Sequence, residues 1–158
     1  FTEFLKDHVP GFEHCYITNI YPSLGIRESR RFHAIKTLTE NEVVNGVIGD
    51  DAIGLGSYSV DIHMADGIGT IFSKIPPYGI PYGITVSNEI KGLMFAGRCA
   101  GMDAVAMSSA RVMPICMAIG DGAGIGAAIA VKKGIDPDEV DPKDVREILR
   151  ASNVILEV

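Results

Sequence analysis

The segment from Val112 to Val131 constrains this chain more than any other, because Asp121 is its only charge. A run of that length and hydropathy fits either a membrane span or a helix packed inside protein. Asp121 stands at its middle, a costly position in lipid, and Pro114 lies near its start. Gly120, Gly122, Gly124 and Gly126 make it small-sided. Together these features predict a buried helix, and no membrane span is expected. Pro114 suits a first helical turn, where its missing N–H costs nothing. Lys132, Lys133 and Gly134 supply a basic last turn and a C-cap, so the helix is predicted from about Pro114 to Lys133. Cys116, Gly120, Gly124 and Ala128 recur every four residues and predict a narrow face for close packing.

The glycines also satisfy a loose GxGxxA pattern from Gly122 to Ala127. A dinucleotide fingerprint must follow a strand and open a helix. This one falls inside a helix, so it is read as packing, and the chain shows no phosphate-binding fingerprint.

The remaining elements are shorter. Residues 1–10 predict a helical turn ending before Pro10, and Cys15–Tyr21 and Arg30–Leu38 read as strands. Thr39-Glu40-Asn41-Glu42 matches a capping box, with Gly46 ending a short helix. Tyr58–His63 alternates as a strand, Gly67–Gly69 marks a turn, and Thr70–Ile75 is strand-like. Pro76, Pro77 and Pro81 predict an extended loop around Tyr78 and Tyr82. Ile84–Val86 reads as a brief strand, Asn88–Gly92 as a turn, and Leu93–Ala96 as a fully buried strand. A glycine- and alanine-rich stretch then leads to the long helix. Asp141-Pro142 opens a last helix, with Val145, Ile148 and Leu149 on one face. The fold class is thus α+β.

The chain has 158 residues, enough for one compact domain, and a net charge of −6 from 14 basic and 20 acidic residues. That balance disfavours nucleic-acid binding, which needs a basic face. Cys15, Cys99 and Cys116 show no CxxC or metal-ligand spacing, so no metal site is expected. Their odd number and the lack of a visible signal peptide point to reduced thiols and a cytoplasmic setting. The first residue is Phe1, which suggests that the natural N-terminus lies upstream.

Several motifs occur in a fixed order: Gly25-Ile26-Arg27-Glu28-Ser29-Arg30-Arg31 with Leu38-Thr39, then Tyr58 and Asp61-Ile62-His63, then Pro77-Tyr78-Gly79-Ile80-Pro81-Tyr82. They are followed by Leu93-Met94-Phe95-Ala96-Gly97-Arg98-Cys99 and by Ser109-Ala110-Arg111-Val112-Met113-Pro114-Ile115-Cys116-Met117-Ala118-Ile119-Gly120. This series closely resembles the C-terminal end of FAD-dependent oxidoreductases distantly related to fumarate reductase and succinate dehydrogenase flavoproteins. The resemblance implies that residues 1–90 are part of a substrate or cap domain. Residues 91–158 would be the returning strand and helices that complete an FAD-binding domain, an incomplete Rossmann-type fold. The other half of the cradle is expected from an N-terminal Rossmann portion of the same protein or a separate chain. The isolated chain is then expected to be inactive. The alternative is a non-catalytic interaction module or subunit derived from such an enzyme.

The resemblance also implies roles for single residues. Gly97, Arg98, Arg111, Val112, Met113, Pro114, Ile115 and Cys116 would contact FAD. A helix beginning at Pro114 has unpaired amides and a positive dipole end, suited to the charge that develops at the N1/O2 edge of a reduced flavin. Arg111, just before the helix, would add to it, and Arg98 suits the ribityl or phosphate region. Arg30, Tyr78 and Tyr82 would face a small-molecule substrate, and His63 has the side chain for proton transfer. Arg30 and Arg31 fall on opposite faces if the segment is a strand. The chain departs from the family at Ala104, where a histidine is common, and near Ala34, where a glycine is usual. The first change bears on substrate handling more than on flavin binding.

Overall fold

Gly122 and Gly126 draw the long apolar helix against its neighbours. A Cβ at Gly122 would stand 2.3 Å from Ile53 Cδ1, and one at Gly126 would stand 2.5 Å from the Tyr82 ring. Packing this close needs residues without side chains on one face of the helix. The computed structural model describes residues 1–63 and 70–158, the side chains of residues 63, 70 and 71 excepted. In chain order it contains α1 (Thr2–His8), α2 (Glu40–Val44), β1 (Ala52–Gly56), β2 (Val60–His63), β3 (Thr70–Ser73) and β4 (Tyr78–Pro81). The helices α3 (Ala104–Ala110), α4 (Met113–Lys133) and α5 (Pro142–Ala151) follow. Short 3₁₀ turns occupy Tyr82–Thr85, Gly97–Cys99 and Pro137–Glu139.

The strands form two small antiparallel pairs, β1 with β4 and β2 with β3. Helix α4 lies on β1 and against α5, whereas α3 packs on β2. Ile115, Ile119, Ala123, Ile129 and Ala130 of α4 are buried and share one face at helical spacing. One apolar cluster runs from Leu38 through Ile53, Tyr78 and Met107 to Leu149 and Leu156. Residues on both sides of position 90 therefore share a core.

The ends of α4 follow the prediction. It starts one residue earlier than expected, with Pro114 in the first turn, and Gly134 closes it in the left-handed conformation at φ 68°. The capping box holds too: Glu42 N–H donates to Thr39 Oγ1 at 3.4 Å, and Thr39 N–H donates to Glu42 Oε2 at 2.9 Å. Helix α5 opens on Asp141 and buries Val145 and Leu149, but Ile148 is exposed. The predicted narrow face of α4 is the wrong one. Gly120 and Gly124 meet open space, and close contact is made through Gly122 and Gly126.

Several short elements differ from expectation. Cys15–Tyr21 forms no strand, and Tyr16, Ile17, Ile20 and Tyr21 are exposed. Its composition fits a pleated surface, but no described strand lies beside it to provide one. Arg30–Leu38 makes only isolated bridges, Ala34 to Ser87 and Leu38 to Met102. Ile84 and Thr85 lie in a 3₁₀ turn, and Leu93–Ala96 is reduced to one bridge between Met94 and Val86. The expected loop at Tyr78–Pro81 is instead the buried strand β4. Pro81 is tolerated because it stands at the strand's end, opposite Ala52. Its partner β1, Ala-Ile-Gly-Leu-Gly, gave no strand signal, and α3 was also unpredicted. The turn expected at Gly67–Gly69 lies outside the described residues.

Candidate active site

The site begins where α4 begins. Val112 is the N-cap residue and provides no side-chain bond, while Pro114 has no N–H to satisfy. The first ladder bond runs from Cys116 N–H to Val112 O at 3.0 Å. The amides of Met113 and Ile115 precede that ladder and have no partner within the helix. Met113 and Met117 are 72% and 69% exposed, so the chain's own side chains do not cover this end.

Gly97 brings a cation to the same place. Its φ of 67° is a left-handed conformation that side chains disfavour, and it starts the turn carrying Arg98. Arg98 Nε donates to Arg111 O at 3.0 Å, tying this turn to the α3–α4 junction. Arg98, Met113, Cys116 and Met117 line an open concavity of about 510 Å³. That volume lies within the range of small-molecule sites, about 300–1,000 Å³. Burial pushes the Cys116 thiol pKa up, against the pull of nearby Arg98. Its Sγ donates to Ala110 O at 3.6 Å, and all three cysteines are free.

Not every residue predicted for this end faces the concavity. Pro114 is exposed, whereas Ile115 is buried in the core and Val112 packs against it. Arg111 lies at the C-cap of α3 and lines a separate cavity. Its Nη2 donates to Asp61 O at 2.9 Å, with Asp61 Oδ2 at 3.6 Å, and its Nη1 stands 3.4 Å from Glu28 Oε2. Asp103, eight residues before Arg111, serves instead as the N-cap of α3. Two carboxylates thus share the Arg111 charge that was expected at the α4 start.

The arginine-rich segment joins the two regions. Arg27, Glu28, Arg30, Arg98 and Cys99 border a cleft of about 100 Å³. Arg27 and Glu28 also border the cavity of about 230 Å³ that holds Asp61, Ala104, Ser108 and Arg111. Arg98 lines both the first concavity and the cleft, and Arg27 and Glu28 line both the cleft and the cavity. Arg30 is exposed, and Arg31 pairs with Glu28. Ser108 was not foreseen, because a serine inside a small-residue helix carries no distinctive pattern.

Tyr78 and Tyr82, expected on the substrate side, are core residues. Tyr78 Oη lies 2.7 Å from Ser109 Oγ, and Tyr82 Oη donates to Pro137 O at 3.0 Å. Burial pushes both phenols up to about 12. Apolar rings with one polar tip are suited to that task, which proline-rich surroundings concealed. His63 ends β2, one alternation beyond Asp61, and its side chain lies outside the described residues.

A family model described as FAD dependent oxidoreductase matches residues 1–149. The chain belongs to this family. FAD dependent oxidoreductases have FAD as their cofactor, and an uncapped helix start beside an arginine and an open hollow fits such a group. No curated protein and no solved structure matches the chain. Among the described residues no cluster of histidines, cysteines and carboxylates could hold a metal ion.

Proposed function

We propose that this chain supplies the flavin-ring side of the FAD site in a larger oxidoreductase, together with part of the substrate site. The observation that carries this reading is the open start of α4, with Arg98 at its rim. When bound, FAD provides two-electron transfer chemistry. The amides of Met113 and Ile115 offer donors and positive dipole potential to an electron-rich ring edge. Arg98 offers a guanidinium to the phosphate or ribityl portion. Met113 and Met117 provide apolar contact for a planar group and keep water from it. Residues 1–90 belong to the substrate or cap domain and residues 91–158 to the FAD-binding domain. A Rossmann portion, in the same protein or another chain, completes the cradle in the cytoplasm. A distant relationship to fumarate reductase and succinate dehydrogenase flavoproteins accords with the order of motifs.

The exposed face of α4 supports the need for a second portion. Met113, Met117, Asp121, Gly124, Ala128 and Val131 are exposed on this helix, and Asp121 is the only charge on it before Lys132 and Lys133. The helix is long and apolar enough to cross a membrane by length and composition alone. Its contacts with β1 and α5 support the packed reading on the opposite face.

Reconstitution tests the proposal. Full-length protein incubated with FAD and desalted is expected to keep the flavin absorption bands. Met117→Glu places a negative charge beside the helix start and is expected to weaken FAD binding about five- to thirtyfold. A full-length protein that stays colourless after reconstitution would falsify the proposal.

A further inference from the structure

Three guanidinium groups border one small cleft. Arg27, Arg30 and Arg98 line a space of about 100 Å³, and Glu28 is the one acid among the described residues that line it. The lining therefore carries two positive charges in excess (three minus one). Glu28 does little to relieve that excess. Its carboxylate pairs with Arg31 and stands 3.4 Å from Arg111 Nη1, and neither of these arginines lines the cleft. Arg27 and Arg30 have no hydrogen-bond or ion-pair partner among the described residues. Like charges around one space repel, and an anion placed among them turns repulsion into attraction.

The cleft is tied down at several points. Phe32 N–H donates to Cys99 O at 3.0 Å, and the rings of Phe32 and Phe95 stack at 4.5 Å. These contacts join the end of the arginine segment to the turn at Gly97–Cys99. Glu28 fixes the middle of the segment to Arg111 at the end of α3. Arg98 Nε donates to Arg111 O at 3.0 Å, which ties the third guanidinium to the same residue.

Size decides which anion fits. At about 30 Å³ for each water-sized group, the space of about 100 Å³ holds roughly three. A terminal phosphoryl group presents three oxygens and two negative charges at one centre, its second proton leaving at a pKa of about 6. Arginine forks match such oxygens in pairs. A dicarboxylate spreads the same two charges over four oxygens and the carbons between them, which is more than the cleft holds. A single carboxylate fits but balances only half the excess. Ser29, also in the lining, adds a hydroxyl donor.

We infer that the cleft binds the phosphoryl group of a phosphorylated small molecule, gripped by Arg27 and Arg30. Arg98 lines both the cleft and the hollow at the α4 start, so one side chain borders the phosphoryl site and the proposed flavin site. That the molecule is the substrate rests on the flavoenzyme reading; the binding itself needs no flavin.

Methyl phosphate at pH 8 is the probe, with acetate as the single-charge control and succinate as the extended dianion. Calorimetric titration of the full-length protein, with and without FAD, is expected to rank methyl phosphate about tenfold above both. Arg27→Gln and Arg30→Gln are each expected to weaken it about tenfold. Arg30→Lys, which keeps the charge but loses the fork, is expected to weaken it less. Both arginines are exposed, so the variants are expected to melt as the parent does. Flavin absorbance of the same samples reports cofactor loading. A folded protein that does not bind methyl phosphate overturns the inference, as does binding that either glutamine variant leaves intact. Acetate or succinate binding as tightly also overturns it. Displacement of methyl phosphate by FAD, with FAD retention weakened in both glutamine variants, assigns the cleft to the cofactor's own pyrophosphate and overturns it too. A protein that takes up no FAD but binds methyl phosphate through Arg27 and Arg30 supports the inference and counts against the flavoenzyme reading alone.

Discussion

At the scale of single residues, the four glycines of α4 divide into two pairs with opposite roles. A Cβ at Gly126 would press on the Tyr82 ring, which Pro137 O holds in place, and one at Gly122 would meet Ile53 Cβ at 2.8 Å. Gly122→Ala and Gly126→Ala are each expected to cost about 1–3 kcal/mol in chemical denaturation. Gly120 and Gly124 meet nothing, so alanine at either is expected to stabilise the helix by about 0.5–1 kcal/mol. The buried phenols set a different limit. Their folded-state pKa values rise from 10.0 to about 12, so the unfolded chain gives up these protons first. This contribution to stability is complete below pH 10 and is lost as pH climbs toward about 12. Denaturation midpoints measured across that window should fall, and Tyr78→Phe with Tyr82→Phe should flatten the decline.

At the scale of elements, Asp103 connects two helix starts. Its Oδ1 accepts from Ala106 N–H at 2.8 Å in α3, and its Oδ2 accepts from Glu40 N–H at 2.5 Å in α2. Asp103→Ala removes both caps and is expected to cost about 2 kcal/mol, with Asp103→Asn losing less; urea midpoints of the two variants check this. Such links explain which parts of the fold were legible beforehand. The capping box at Thr39, the bounds of α4 and the start of α5 rest on neighbours within a few residues, and these were read correctly. The pairing of β1 with β4 was not, because a glycine-rich strand and a proline-bearing one become strands only through burial between other elements. At the site, the open α4 start could be read from Pro114 and the run after it. The destination of Arg111 could not, since Glu28 lies 83 residues before it and Asp61 50 residues before it.

At the scale of the whole molecule, one core spans the two regions assigned to different domains of the proposed parent, and one side of α4 is left uncovered. Replacing Val131, which is 84% exposed, with Lys should raise the solubility of the isolated chain. In the parent, if this side meets the rest of the cradle, the same change should lower the melting temperature; paired melts and light scattering on both proteins distinguish the two effects. The other end of the molecule holds itself together differently. Arg146, 7% exposed, donates to Ala52 O at 2.5 Å and to Glu157 at 3.2 Å, while Leu156 is buried in the core. Removal of Leu156 and Glu157 therefore strips both a hydrophobic plug and a counter-ion. The damage reaches the first strand, 94 residues upstream of the arginine, so a change near position 157 is felt at Ala52.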